Sequence, residues 1–230
     1  MSGAVWRTRL LTGYWFSNLP AGLQDSLLNA AKTRRLTPGK PLFRRGDPPC
    51  GLYAVLEGAI RIGSVSEQGK QTLLSRIELP YWFGEVSLFD GLPRTHDAFS
   101  EAHSILLQVP QSALVTLLEK EPQYWRHFAL LMSQKLRLTF VHLEQQSLLP
   151  AAARVACRLL LIAEGYGEIN RSREVIELPQ EPLAQMLSMS RQTINKILND
   201  FQTQGVLDIS YGEIRILDLD KLRAAASQSA

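Results

Sequence analysis

Two stretches of this 230-residue chain hold side chains whose types and spacing could do chemistry. The first is FGEVSLFDGLPRTHDAFSEA, where Gly84-Glu85 stands ten residues before Arg94-Thr95 and a short apolar helical turn, VSLFDG, lies between. Arg94 can pair with two oxygens of a phosphate, Thr95 can add a hydroxyl, and Glu85 can accept from a ribose 2′-OH. Charges that face inward need partners, so this spacing implies either a ligand or a mutual salt bridge. A Glu–Arg pair is more often structural than functional, and the spacing alone favours that outcome.

The second is LPQEPLAQMLSMSRQTINKILNDFQTQGVLDI, which reads as two short helices around a turn of three or four residues. Pro182 suits the first turn of the leading helix, where a missing N–H is harmless. Ala184 is small enough for the second helix to cross closely. Leu183, Met186 and Leu187 face a core shared with Ile194, Ile197 and Leu198, and Ser190 is placed to cap the second helix by accepting from Gln192 or Thr193 N–H. Arg191, Gln192, Asn195 and Lys196 then fall on the exposed N-terminal turns, with Ser190 beside them. Such an arrangement suits double-stranded DNA: Arg can donate twice to guanine O6 and N7, and Gln can pair with adenine N6 and N7. An ordinary amphipathic helix with a solvated polar face fits the same pattern equally well. The text that follows tips the balance, because Gly205 ends the helix and VLDIS, YG, EIRILDL reads as a hairpin, the wing of a winged helix-turn-helix. Ser188 stands where such turns often hold glycine at positive φ, a strain of about 1 kcal/mol.

The remaining side chains carry no chemistry of this kind. Cys50 and Cys157 form no disulfide framework, zinc pattern or iron–sulfur ligand set and are expected as reduced thiols in or near the cores. His96, His103, His127 and His142 show no axial-ligand pattern for haem. Asp97, Glu101 and His103 would alternate along a strand. Metal-ligand spacing, a phosphate-binding Gly-rich loop and a nucleophile elbow are all missing, so no catalysis is expected.

The elements that must position these residues follow from the pattern of the chain. From Leu42 to about Val109 short apolar runs (LYAVLEG, AIRIGSV, QTLLSRI, SILLQVP) alternate with polar turns, which predicts a β-sandwich or roll with Gly58 and Gly69 at turns. After Pro122 comes a stretch without Gly or Pro up to Pro150, a helix of about seven turns. Trp125, Ala129, Met132, Leu136, Thr139, Leu143 and Gln146 recur on it at spacings of four and three, the seam of a coiled coil. A second row, Phe128, Leu131, Leu138 and Val141, is expected to pack back on the β-domain. Pro150 with Ala151 to Ala153 marks a hinge before the helix RVACRLLLIAEGYG. The expected domains are 1–121, 122–149 and 150–230.

With 45% hydrophobic residues the chain can bury one large core or two modest ones, and its length favours two domains. No apolar run reaches membrane length and the opening lacks a signal-peptide core, so the protein is expected to be cytoplasmic and without a membrane partner. The net charge is +3, yet residues 150–230 hold 9 Lys and Arg against 10 Asp and Glu. Bulk charge therefore does not argue for nucleic acid, and the case rests on one helix face.

The order of β-roll, GE(x)8–RT cassette, long helix and winged helix-turn-helix resembles the cAMP receptor protein/FNR family of bacterial transcription regulators, from about Phe43 to Leu219. The resemblance implies an α+β chain: an N-terminal cyclic-nucleotide-binding β-roll, a long central dimerisation helix and a C-terminal winged helix-turn-helix. It implies a homodimer that binds DNA with RNA polymerase as partner, and cAMP as an effector. By the same resemblance Gly84, Glu85, Arg94 and Thr95 form the phosphate and ribose site, and Thr139 meets the adenine edge. Phe140 falls where cAMP-responsive members place Ser, His96-Asp97 replaces a small apolar pair, and the cassette is one residue shorter. Arg191 matches the guanine-contacting Arg and Lys196 a later basic residue, while Gln192 replaces Glu. The N-terminal cysteine cluster of the FNR branch is missing, so iron–sulfur sensing is not implied. The alternatives are a constitutive or differently liganded DNA-binding regulator with a vestigial pocket, and a cyclic-nucleotide sensor that docks on a protein instead of DNA.

Overall fold

The computed structural model of the protein describes residues 3–65, 71–78, 80–167 and 173–227; Gly69 lies outside the described residues. The chain divides into two units, Met1–Leu136 and Arg137–Ala230, with the division inside its longest helix.

The N-terminal unit begins with short helices α1 (Arg7–Leu10), α2 (Tyr14–Ser17) and α3 (Ala21–Ala30). Strands β1 (Lys32–Leu36), β2 (Pro41–Phe43), β3 (Leu52–Glu57), β4 (Ile60–Val65), β5 (Gln71–Ile77) and β6 (Tyr81–Phe83) follow. Helix α4 (Val86–Asp90) separates them from β7 (Asp97–Ser100) and β8 (Ser104–Val109). They form two antiparallel four-stranded sheets in the orders β1-β8-β3-β6 and β2-β7-β4-β5. This is the expected roll, with β1, β2, β6 and β7 added to the four runs read as strands. Glu101 and His103 fall beyond the end of β7, so they do not alternate along a strand with Asp97.

β3 is apolar from Leu52 to Leu56 because both its faces are covered there. Leu52, Ala54 and Leu56 face a core shared with α1–α3, and Tyr53 and Val55 face the core between the two sheets. β6 splits in the same way: Trp82 enters the helical core, where Phe16 stacks on it at 5.6 Å and Trp15 meets it edge-on at 5.3 Å, while Phe83 enters the roll. Gly84 and Glu85 follow directly on this alternating pair.

Helices α5 (Gln111–Lys120) and α6 (Trp125–Leu148) complete the unit and lead out of it. Phe128 and Leu131 pack into the N-terminal core as expected, and Trp15 Nε1 donates to the His127 carbonyl at 2.8 Å. Leu138 and Val141 do not join that core. They lie in the C-terminal unit and line a cavity with residues of the following helix.

In the C-terminal unit α7 (Ala151–Ala163) starts directly after Pro150, whose extended backbone caps it. Ala151 to Ala153 are therefore its first turn and not part of a hinge loop. β9 (Val175–Ile176), α8 (Gln180–Leu187), α9 (Arg191–Thr203), β10 (Leu207–Ser210), β11 (Glu213–Ile216) and α10 (Leu219–Ala226) follow. The β10–β11 hairpin turns at Tyr211-Gly212 and adds β9 as a third antiparallel strand. This is the expected wing.

Ser190 Oγ accepts from Thr193 N–H at 3.0 Å, and Ser188 sits at φ 53°, ψ 41°. Ser190→Ala is expected to destabilise the C-terminal unit by about 1 kcal/mol through loss of the cap. Ser188→Val is expected to destabilise by about 1 kcal/mol or more, since a β-branched residue tolerates the left-handed region least. Urea unfolding followed by circular dichroism measures both.

Candidate functional site

Arg94 is 4% exposed and holds its guanidinium in a cradle of neutral acceptors. Nη1 donates to Gly84 O at 2.8 Å, and Nη2 donates to Gly51 O at 2.5 Å and to Cys50 Sγ at 3.1 Å. The guanidinium lies 4.6 Å from the centre of the Phe43 ring and 5.8 Å from that of Tyr53. Its backbone is fixed as well, by Arg94 N donating to Asp47 O and Gly46 N donating to Arg94 O. Gly84 has φ +97°, and a Cβ there would stand 2.9 Å from both Arg94 Nη1 and Gly51 O. Only glycine lets the chain pass this close. Arg94 Nε is buried without an acceptor, and no carboxylate pairs with the guanidinium among the described residues.

The sequence offered a Glu85–Arg94 salt bridge as the structural alternative. The structure makes a different pair: Glu85, 4% exposed, accepts from Lys135 Nζ at 2.7 Å. The same ammonium donates to Trp82 O at 2.7 Å and lies 5.0 Å from the Tyr81 ring centre. A carboxylate of the cassette is thus neutralised by the long helix, while the arginine of the cassette keeps an uncompensated charge.

Thr95 is exposed and its Oγ1 lies 2.9 Å from His96 Nδ1. Thr139 is exposed on α6 and belongs to the C-terminal unit, while Glu85 and Arg94 belong to the N-terminal one. Burial, then the hydrogen bond that Tyr53 gives Cys50 at 3.1 Å, holds the Tyr53 phenol well above its ordinary pKa. It therefore acts as a neutral donor.

In the C-terminal unit α8 and α9 meet through Leu183, Met186, Leu187, Ile194, Ile197 and Leu198, all buried. Arg191, Gln192, Asn195 and Lys196 are all exposed on the opposite side. Asn195 is already engaged, donating to Gln180 Oε1 at 3.1 Å and accepting from Asn199 Nδ2 at 3.0 Å. Ser190 Oγ is likewise occupied, by the cap and by Thr193 Oγ1 at 2.8 Å. Arg191, Gln192 and Lys196 have no hydrogen-bond or ion-pair partner among the described residues and keep their full donor sets. A helix with a buried apolar face and this exposed set, backed by a hairpin whose tip Tyr211 is fully exposed, matches the reading element of a winged helix-turn-helix.

Comparison with known proteins agrees with both halves. Residues 33–121 match the model of the cyclic nucleotide-binding domain and residues 153–225 that of the Crp-like helix-turn-helix domain. A CRP-like cAMP-activated global transcriptional regulator of Mycobacterium tuberculosis is 30% identical over 89% of this chain and 94% of its own length. The chain belongs to the CRP/FNR family of transcription regulators. A cyclic AMP receptor protein of Thermus thermophilus is 29% identical over 84% of this chain and 88% of its own. A solved CRP/FNR-family regulator from the same organism superposes with a TM-score of 0.68 at 25% identity, covering 86% of this chain and all of that one. This CRP/FNR regulator is accordingly a DNA-binding transcription regulator and not an enzyme. No helix of its described residues is long and apolar enough to cross a membrane.

Sequence reasoning on this regulator missed Lys135. A buried Glu85 demands a cation, but α6 offers Arg126, Lys135 and Arg137 at spacings that do not discriminate. The carbonyls of Gly84 and Gly51 leave no trace in side-chain pattern at all.

Lys135→Met and Glu85→Gln, combined in a double-mutant cycle of unfolding free energy, are expected to show a coupling of about 1–3 kcal/mol. Zero coupling would place the pair at the surface in solution. His96, His127 and His142 are each held below their ordinary pKa, first by burial and then by neighbouring arginines. The unfolded chain binds protons more readily at these positions. Stability present above about pH 6.5 is therefore lost as pH falls from that value through the folded pKa values. Tm measured from pH 7.5 to 5 is expected to fall, and replacing all three with Gln to flatten part of that fall.

Proposed function

We propose that this regulator works as a cytoplasmic homodimer, with RNA polymerase as partner, whose β-roll takes a small effector of the cyclic-nucleotide class. The observation that carries the effector is Arg94: a buried guanidinium with neutral acceptors and one idle N–H calls for an anion. A phosphate at Arg94, helped by Thr95 and the Gly84 backbone, fits that demand. The name of the Mycobacterium tuberculosis relative describes cAMP activation, which makes cAMP the first effector to test.

A ribose hydroxyl directed at Glu85 would meet Lys135 already there. Effector binding would then exchange a bond between the cassette and the long helix for a bond between the cassette and the ligand. Lys135 lies just before the division of the two units, so this exchange supplies the unequal affinity for two conformations that coupling requires. The pair also supports a second reading. If Lys135 holds Glu85 permanently, the pocket serves an anion without a ribose or is vestigial, and Phe140 at the expected adenine side agrees with that.

The dimer reading rests on α6. Leu136, Phe140 and Leu143 are 48%, 60% and 53% exposed at spacings of four and three, a stripe that a second α6 would cover. Selection of bound DNA sequences with and without cAMP tests the whole scheme. Paired half-sites with centres about one helical turn apart, bound more tightly with the nucleotide, are the expected outcome. Calorimetry showing no cAMP binding to an intact dimer would overturn the cAMP assignment and leave the second reading. Arg191→Ala is expected to weaken operator binding about ten- to hundredfold at fixed salt, and Gln192→Glu to change the preferred base within the half-site.

A further inference from the structure

Within the C-terminal unit the second half of α6 and the helix α7 enclose a cavity of about 210 Å³, which Leu187, the last residue of α8, also lines. Leu138, Val141, Leu160 and Leu161 give it apolar walls. Its polar side is made by Arg154, Arg158, His142, Gln145 and Glu164.

Arg158 is 6% exposed, and its hydrogen-bonding partner is the His142 ring, 3.2 Å from either nitrogen. Arg154 gives one N–H to Leu187 O at 2.7 Å, and its buried Nε finds no acceptor. Glu164 and Cys157 also line the cavity, yet neither arginine forms an ion pair among the described residues. Two guanidiniums thus share a partly closed space with an imidazole and one carboxylate, Glu164, which pairs with neither of them among the described residues. Burial, then Arg158, then Arg154 holds His142 below its ordinary pKa, so the ring does not add a third charge near neutrality. Arginine in such a place is shaped for the paired oxygens of a carboxylate or phosphate.

We propose that this cavity is a second effector site, which takes the oxyanion head of a small metabolite on Arg158 and Arg154 and its apolar body between α6 and α7. It is separate from the cassette, since every residue that lines it belongs to the C-terminal unit while Glu85 and Arg94 belong to the other. Its position gives it a purpose. The ligand would touch the long helix, the first helix after Pro150, and the end of α8 one residue before the strained Ser188 turn. Occupation therefore biases the placement of the reading helix on the long helix, whether or not the β-roll is filled.

The test is arginine Nε–Hε NMR of the full-length protein, titrated at constant ionic strength with sodium phosphate or sodium succinate against sodium chloride. The Arg154 and Arg158 resonances, assigned with Arg154→Lys and Arg158→Lys, are expected to shift saturably with at least one probe and not with chloride. Phosphate alone would define a phosphate site, succinate alone a carboxylate site, and saturation by both a general oxyanion site. His142 is expected to titrate at higher pH in the bound form, because an anion favours the imidazolium against the two guanidiniums. Arg158→Gln is expected to weaken the saturating probe about ten- to hundredfold. The wild-type titration stands even where that variant fails to fold. Shifts that stay linear and match those in chloride would overturn the proposal.

Discussion

The N-terminal unit is arranged around a buried positive charge that the protein itself leaves unneutralised. Arg94 has its backbone pinned to the 44–47 turn, its head between two backbone carbonyls and a thiol, and its flat face on Phe43. Each restraint fixes position without removing charge. Gly84 can be nothing larger, Phe43 and Tyr53 must supply π faces, and the two sheets must bring β2, β3 and β6 to one place. The aromatic core between the sheets is thus the wall of the cradle that holds Arg94 as much as a source of stability.

Glu85 extends that constraint to the rest of the chain. A buried carboxylate cannot stand alone, and its cation comes from α6. The ion pair therefore fastens the cassette to the helix that runs on into the C-terminal unit, one residue before the first unit ends. The charge deficit at Arg94 and the charge match at Glu85 are two halves of one design, one open to a ligand and one closed by the protein.

Much of this was legible in the sequence because it depends on local pattern. Ser190, Ser188 and Gly205 punctuate the helix-turn-helix, short apolar or alternating runs between polar turns mark β3, β4, β5 and β8, and the Gly-free stretch marks α6. What could not be read depends on pairings between distant segments. β1, β2 and β7 are short or carry mixed polarity, and only their partners make them strands. β3 is apolar on both faces, so its alternation was invisible. Leu138 and Val141 share the helical phase of Phe128 and Leu131 but outrun the β-domain, and phase alone does not say where a neighbouring unit ends. Lys135 was hidden for a similar reason: one cation among three on a helix acquires a role only when a buried acid arrives opposite it.

The charge balance of the C-terminal segment carries a consequence for how the protein searches for its sites. A head with more acidic than basic residues, and with only Arg191 and Lys196 as basic side chains on its reading face, releases few counterions on touching a duplex. Its residence on random DNA is brief, and its affinity changes gently with ionic strength. In the proposed dimer, discrimination between operator and genome would then be set by base-edge hydrogen bonds and by the two-fold repetition of the head, so that a monomer would hardly hold DNA at all.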